Sequence, residues 1–298
     1  MDATRTRLDP GTSIGPVDLA VSDLDRSVRF YERAMGFQVL AREREIARLG
    51  AGGRDLLRLE EIRGARRVPR TTGLYHFAVL LPNRPDLATA LVRLAASGAP
   101  LGGASDHGVS EALYLSDPDG NGIEIYRDRP RGEWPHAADG SVAMTIDALD
   151  LESLVAESPA AARGDLRHLT PESLPPAPAA TRVGHVHLHV ADLEAAKRFY
   201  VDVIGFDVMA RYGAEALFVS AGGYHHHVGL NTWAGKGAPA PPPGSAGLRW
   251  FALEHASAAG RDETAARARA AGLNPEAIEA DYLVRDPSGN GVRLTARS

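Results

Sequence analysis

The 298-residue sequence contains no cysteine. That absence removes disulfides, thiolate nucleophiles and zinc–thiolate sites, so any metal must be held by nitrogen and oxygen. Surplus charge is also scarce. A formal net charge of −5 offers no electrostatic case for nucleic acid. No apolar run approaches the length of a membrane span, and the first residues, MDATRTRLDPGTS, lack the apolar core of a signal peptide. A cytoplasmic location away from any membrane is expected. What is present, 44% hydrophobic and 24% charged residues, describes a globular protein long enough for two domains.

The two halves resemble each other. Val17-Asp18-Leu19-Ala20-Val21-Ser22-Asp23-Leu24 corresponds to Val186-His187-Leu188-His189-Val190-Ala191-Asp192-Leu193. At the same offset Phe30-Tyr31 meets Phe199-Tyr200, Gly36-Phe37 meets Gly205-Phe206, and Asp117-Pro118 meets Asp286-Pro287. Within each half a finer unit recurs: a short strand, a helix opened by Asp or Ser, a glycine stop, then two or three strands. In the first helix Leu24, Val28, Tyr31 and Met35 fall at helical spacing, with Gly36 as C-terminal cap. The expected fold class is α+β, built from four βαβββ modules near 14–62, 72–128, 182–233 and 247–296. They group into an N-terminal pair, 12–130, and a C-terminal pair, 181–298. Between them the proline-rich stretch 131–180 reads as a linker with a short helix near 149–157.

The most informative stretch is His107–Glu124, HGVSEALYLSDPDGNGIE. SEALYLS reads as a strand, the Asp-Pro-Asp-Gly-Asn-Gly run as a turn, and Ile123–Tyr126 as the return strand. Alternation puts Glu124 on one face and Ile123 and Ile125 on the other. A carboxylate fixed in a strand is costly to bury unless it meets a cation or a donor. The turn is no EF-hand loop, because the alternating oxygen ligands and terminal glutamate are missing.

Polar chemistry is uneven across the modules. The second supplies His76, His107, Tyr114 and Glu124. The third supplies His185, His187, His189 and the run His225-His226-His227. In the first and fourth, Pro16 stands where His185 stands, Arg58 where His227 stands, Trp250 where His76 stands, Leu283 where Tyr114 stands and Arg293 where Glu124 stands. A site is therefore expected from modules 72–128 and 182–233, with the outer two as retired copies. His187 and His189 share a face with His185 and read mainly as packing groups. If the triple-histidine run is a strand, His225 and His227 face one way and His226 the other.

These features resemble the vicinal oxygen chelate superfamily, the glyoxalase–bleomycin-resistance–dioxygenase fold. His107, Leu113, Tyr114, Asp117, Pro118, Gly120 and Glu124 are similar to the extradiol ring-cleavage dioxygenase signature. Ser105 departs from the residues usual at its position there. GHVHLHVADL and SAGGYHHHVGLNTWAG resemble the bacterial catechol-2,3-dioxygenase group. The resemblance implies His76, Glu124 and His185 as metal ligands, His227 as the acid/base histidine with His226 as its rival, and Tyr114 and His107 as groups that contact substrate oxygens. It implies Fe(2+), with Mn(2+) as the alternative, and catechol or a simple substituted catechol plus O2 as reactants in aromatic hydrocarbon catabolism. In two-domain extradiol enzymes of this type the site lies in the last two modules, whereas here the matching residues sit in the middle pair. A homo-oligomer is expected from paired modules and open strand edges.

Two other readings stand beside this one. The first is a glyoxalase-like isomerase or lyase using zinc, nickel or cobalt. The second is a non-enzymatic protein that sequesters a small aromatic or an antibiotic. A sequestering protein has no need of first-strand histidines, and an isomerase has no evident use for Tyr114, His107 and His227 together.

Overall fold

The computed structural model describes residues 6–297 apart from Ala138, Asp139, Ser141, Arg163, Asp165 and Arg167; the parts of the expected linker that fall on these six lie outside the described residues. The first module comprises β1 (Ser13–Val21), α1 (Leu24–Met35), β2 (Gln38–Glu43), β3 (Ile46–Ala51) and β4 (Arg54–Glu61). The second comprises β5 (Gly73–Leu81), α2 (Arg84–Ser97), β6 (Gly103–Asp106), β7 (Ser110–Ser116) and β8 (Gly122–Asp128). A segment with β9 (Asp147–Ala148), α3 (Leu151–Ala156) and α4 (Pro159–Ala162) follows. The third module comprises β10 (Arg182–His189), α5 (Leu193–Lys197), β11 (Asp207–Tyr212), β12 (Ala216–Ser220) and β13 (Val228–Asn231). The fourth comprises β14 (Gly247–His255), α6 (Ala258–Ala270), β15 (Glu276–Ile278), β16 (Asp281–Arg285) and β17 (Gly291–Ala296).

The fold is α+β, four βαβββ modules on two sheets. One sheet runs β15-β16-β17-β14-β1-β4-β3-β2 and the other β11-β12-β13-β10-β5-β8-β7-β6-β9. In the second, third and fourth modules the first strand pairs in parallel with the last, and the remaining pairs are antiparallel. A helical crossover between the parallel strands makes that pairing reachable. By chain contacts the molecule divides into two compact units: Ala20–Arg66 with His76–Val183, and Met1–Leu19 with Arg67–Tyr75 and Gly184–Ser298.

Within the first of these units, α1 shows why the local sequence folds as it does. Asp23 accepts a hydrogen bond from the Arg26 backbone N–H at 2.8 Å, and Gly36 closes the helix at φ 70°. A side-chain N-cap of this kind stabilises by about 1 kcal/mol. Leu24, Val28, Tyr31 and Met35 are buried, as their spacing requires. The segment after β8 is tied down by Arg93 of α2, a buried guanidinium that donates to the carbonyls of Pro171, Leu174 and Pro175. Burial holds its pKa below the usual arginine value.

The Asp-Pro turns repeat as a structural lock, once in each unit. Tyr31 Oη donates to Asp117 Oδ2 at 3.0 Å, and Tyr200 Oη donates to Asp286 Oδ2 at 3.1 Å. Each aspartate also accepts from the Asn four residues on, Asn121 or Asn290, through both its side chain and its backbone N–H. Burial raises the pKa of both carboxyls and drives both phenols well above their ordinary range. Removing one donor from such a buried acceptor costs about 1–3 kcal/mol. Tyr200→Phe is expected to lower the unfolding free energy by about that amount, read as a lower urea midpoint; an unchanged midpoint would show the lock to be idle.

In the other unit, His255 sits buried at the end of β14, with Nδ1 against the Thr295 carbonyl at 2.9 Å and Nε2 against Thr264 Oγ1 at 3.0 Å. Burial depresses its pKa below the ordinary histidine value. The unfolded chain therefore binds the proton more readily, and stability rises with pH through the window between the two values. Acidification below about pH 6.5 is expected to destabilise the protein, and His255→Gln is expected to flatten that slope. A midpoint that falls equally in both proteins from pH 7 to 5 would contradict this.

Candidate metal centre and its surroundings

Glu124 lies on β8 directly opposite Tyr114 on β7. Parallel pairing of β5 with β8 sets His76 against Gly122 and Ala78 against Glu124. The result is that His76 Nε2 lies 3.1 Å from Glu124 Oε2. Glu124 is 3% exposed and His76 7%. His185, on β10, is 1% exposed. One ligand atom from each of His76, Glu124 and His185 lies within 4.8 Å of the others. Two atoms held by one ion at about 2.1 Å and at right angles sit about 3 Å apart, close to the His76–Glu124 separation. Two imidazole nitrogens and a buried carboxylate oxygen, with no thiolate, are a donor set that fits a divalent transition ion.

Beside Glu124, Tyr114 packs on the cluster of Ala78, Leu80, Ala112 and Tyr126. Its ring centroid is 5.8 Å from that of His76. Its hydroxyl lies 2.7 Å from His107 Nε2, and His107 Nδ1 lies 2.7 Å from the carbonyl of Thr145. A carbonyl only accepts, so Nδ1 carries the hydrogen and, in the neutral ring, Nε2 accepts from Tyr114. Thr145 also donates its N–H to the His107 carbonyl at 3.0 Å, and β9 then pairs with β6. The segment read as a linker with a short helix thus fixes the tautomer of His107 through Thr145. Nothing in its composition signals that, because the contact is made by backbone atoms.

The triple-histidine run is not a strand. It bends between β12 and β13, so period-two alternation does not apply, and all three rings are buried. The His226 ring lies 4.1 Å from that of His185, and His225 lies 6.1 Å from it. His225 Nδ1 and His226 Nδ1 are 2.8 Å apart, so one of the two nitrogens donates to the other. His227 is held differently. Its Nδ1 accepts from the Ala221 N–H at 3.2 Å and lies 2.9 Å from Ser220 Oγ, and its ring packs near Phe206 and Tyr224. His187 and His189 sit among aromatic rings farther along β10.

The corresponding positions of the fourth module carry no such donor set. Leu283 pairs with Arg293 as Tyr114 pairs with Glu124. The Arg293 guanidinium lies 5.2 Å over the Trp250 ring and donates to Asp281 at 2.9 Å. A permanent cation on an aromatic face occupies the place that histidine and glutamate take in the second module.

Both halves of the chain match one family model, Glyoxalase/Bleomycin resistance protein/Dioxygenase superfamily, over residues 13–125 and 182–294. A catechol-2,3-dioxygenase of Bacillus subtilis (strain 168) is 47% identical over 286 residues, 95% of this chain and 96% of that protein. Among solved structures, a putative dioxygenase from Bacillus subtilis superposes with TM-score 0.65 at 11% identity, covering 98% of this chain and 86% of the other. Glyoxalase I from Zea mays superposes with TM-score 0.57 at 16% identity, covering 96% and 92%. These two likenesses concern the fold, whereas the family rests on the duplicated match and on the near-full-length identity. The chain belongs to the glyoxalase/bleomycin resistance protein/dioxygenase superfamily, as two copies of its domain in one polypeptide.

Proposed function

We propose that the protein is an extradiol dioxygenase that cleaves catechol or a simple substituted catechol beside its two hydroxyls, with iron(II) held by His76, Glu124 and His185. The observation that carries this reading is the convergence of three buried ligand atoms within 4.8 Å. The 47% identity to a catechol-2,3-dioxygenase supports it across the chain. Iron is favoured because two imidazoles and one carboxylate are the donor set typical of iron(II) oxygenases; manganese is the alternative. When bound, the ion supplies Lewis acidity and a place where both reactants meet.

The surrounding residues do the holding and the proton work. Tyr114 gives its hydrogen to His107, so toward substrate its oxygen offers a lone pair and accepts from a catechol hydroxyl. His107, pinned by Thr145, keeps that arrangement in one tautomer. We assign proton transfer to His226 rather than His227. His226 lies against His185, and its contact with His225 orients its ring. His227 Nδ1 already accepts from a backbone N–H, so a proton arriving there would face a donor. The role of His227 is then to hold the bend between β12 and β13. Both atoms of O2 enter the product, a 2-hydroxymuconic semialdehyde when the substrate is catechol.

Among the described residues no helix is long and apolar enough to cross a membrane. A cytoplasmic setting and a homo-oligomer complete the reading. The second is supported by exposed Val39 on β2 and exposed Val208 and Tyr212 on β11, each strand at the end of its sheet. Light scattering behind size exclusion checks the assembly. The activity is tested by loading the protein anaerobically with iron(II), admitting air and catechol, and following oxygen uptake with the yellow product. Equal consumption of oxygen and catechol is expected. Turnover of a thiohemiacetal without oxygen uptake would establish the isomerase instead.

A further inference from the structure

Residues 6–12, ahead of β1, form a strap across the third module, and both belong to one compact unit. Leu8 is buried, and its N–H donates to the Gly205 carbonyl at 3.0 Å. Asp-Pro-Gly-Thr then turns the chain into β1. Asp9 accepts from the Gly11 N–H through Oδ1 at 2.7 Å and from the Thr12 N–H through its carbonyl at 2.9 Å. This turn lays Pro10 on Gly222. A Cβ at Gly222 would stand 2.5 Å from the Pro10 carbonyl oxygen, and φ there is 62°, so glycine alone permits the approach. Gly222 follows Ala221, whose N–H is held by His227 Nδ1 and whose carbonyl accepts from the Tyr224 N–H at 3.4 Å. The Tyr224 ring lies 4.0 Å from that of His225. Pro10 therefore presses on the turn that leads into the histidine run.

The repeat builds the same strap a second time, inside the other unit. Ala177 stands at the offset of Leu8 and donates its N–H at 2.9 Å to the carbonyl of Gly36, the counterpart of Gly205. Ala179 stands at the offset of Pro10 and packs on Gly52 of the β3–β4 turn, where a Cβ would lie 2.4 Å from its side chain. Leu-Asp-Pro and Ala-Pro-Ala share little chemistry, so two copies of one contact mark a feature of the design. The first module has no histidine for its strap to act on.

We propose that residues 8–10 are a positioning element for the triple histidine. They hold the 221–224 turn closed, and the turn holds the His225 and His226 rings in place. The consequence for turnover rests on the ring-cleavage reading; the strap itself does not. A group that moves a proton works only within hydrogen-bond reach, and a displacement of about 1 Å costs much of the rate. The strap of the first module closes a turn that carries no such group, so it is the internal control.

The test sets a strap variant, Leu8→Gly with Pro10→Gly, beside a control variant, Ala177→Gly with Ala179→Gly. Hydrogen exchange of the metal-free proteins reads the turn without chemistry. The strap variant is expected to exchange the Ala221, Tyr224 and His227 amides about tenfold faster, and the control variant to leave them unchanged. In iron-loaded protein the strap variant is expected to slow single turnover of catechol with oxygen about tenfold, while iron content and anaerobic catechol affinity stay at wild-type values. The control variant is expected to keep the wild-type rate. Unchanged exchange in the strap variant would overturn the strap. Faster exchange with an unchanged single-turnover rate would overturn its positioning role, as would an equal loss of rate in both variants. Pro10→Gly alone, at an exposed position, carries the same test if the double variant does not fold. If wild-type protein cleaves no catechol, the ring-cleavage reading fails, and the exchange result still decides the strap.

Discussion

Glu124→Gln protein is expected to lose its divalent metal and its ring-cleaving activity together while remaining folded. Glutamine keeps the volume of the side chain and removes its charge. In the metal-free protein that charge is buried beside His76 Nε2 at 3.1 Å, and a buried carboxylate is costly. The metal-free variant is therefore expected to be at least as stable as metal-free wild type. The wild-type protein gains stability from metal by mass action, about 2.7 kcal/mol at a hundredfold excess over Kd. That gain is expected to vanish in the variant, because losing a charged ligand costs affinity by about a hundredfold or more. Thermal melting with and without iron(II), beside metal analysis of the dialysed proteins, separates the two effects. A variant that retains full metal and the full thermal shift would remove Glu124 from the site.

The second large effect is expected at the triple histidine. His226→Phe should keep metal, since His76, Glu124 and His185 are intact, yet slow turnover by about 10²–10⁴, the span of a positioned general acid/base. His227→Phe acts through structure. It removes the acceptor for the Ala221 N–H and the contact to Ser220 Oγ, so its first sign should be a lower denaturation midpoint. Pre-steady-state mixing of the anaerobic catechol complex with oxygen distinguishes them, because a proton carrier changes the single-turnover rate while KM stays near its original value. Should His227→Phe abolish single turnover and His226→Phe leave it intact, the two roles would be exchanged.

Much of this was legible in the chain because the repeats are. Strand β7 occupies Ser110–Ser116, the SEALYLS span that reads as a strand, and the buried face of α1 follows from Leu24, Val28, Tyr31 and Met35 at helical spacing. The lack of the same donor set in the fourth module was legible too, since Arg293 and Trp250 stand where Glu124 and His76 stand. The geometry of the triple histidine was not. Choosing among His225, His226 and His227 by alternation assumes a strand, and the run bends instead, so the geometry comes from Ser220, Ala221 and Phe218 around it. Thr145 was also hidden, because its carbonyl and N–H act on His107 and backbone groups leave no mark in residue type. The Asp-Pro turn read as a hairpin signal alone. Its partners, Tyr31 and Tyr200, lie far away in sequence, and only the fold brings them to Asp117 and Asp286.

The most direct test of the metal centre is an anomalous difference map, collected at the iron edge, from crystals loaded anaerobically with iron(II). One strong peak per chain is expected within coordinating distance of a His76 nitrogen, a His185 nitrogen and a Glu124 carboxylate oxygen. Iron bound elsewhere, or these three side chains unmetallated in fully loaded and active crystals, would contradict it.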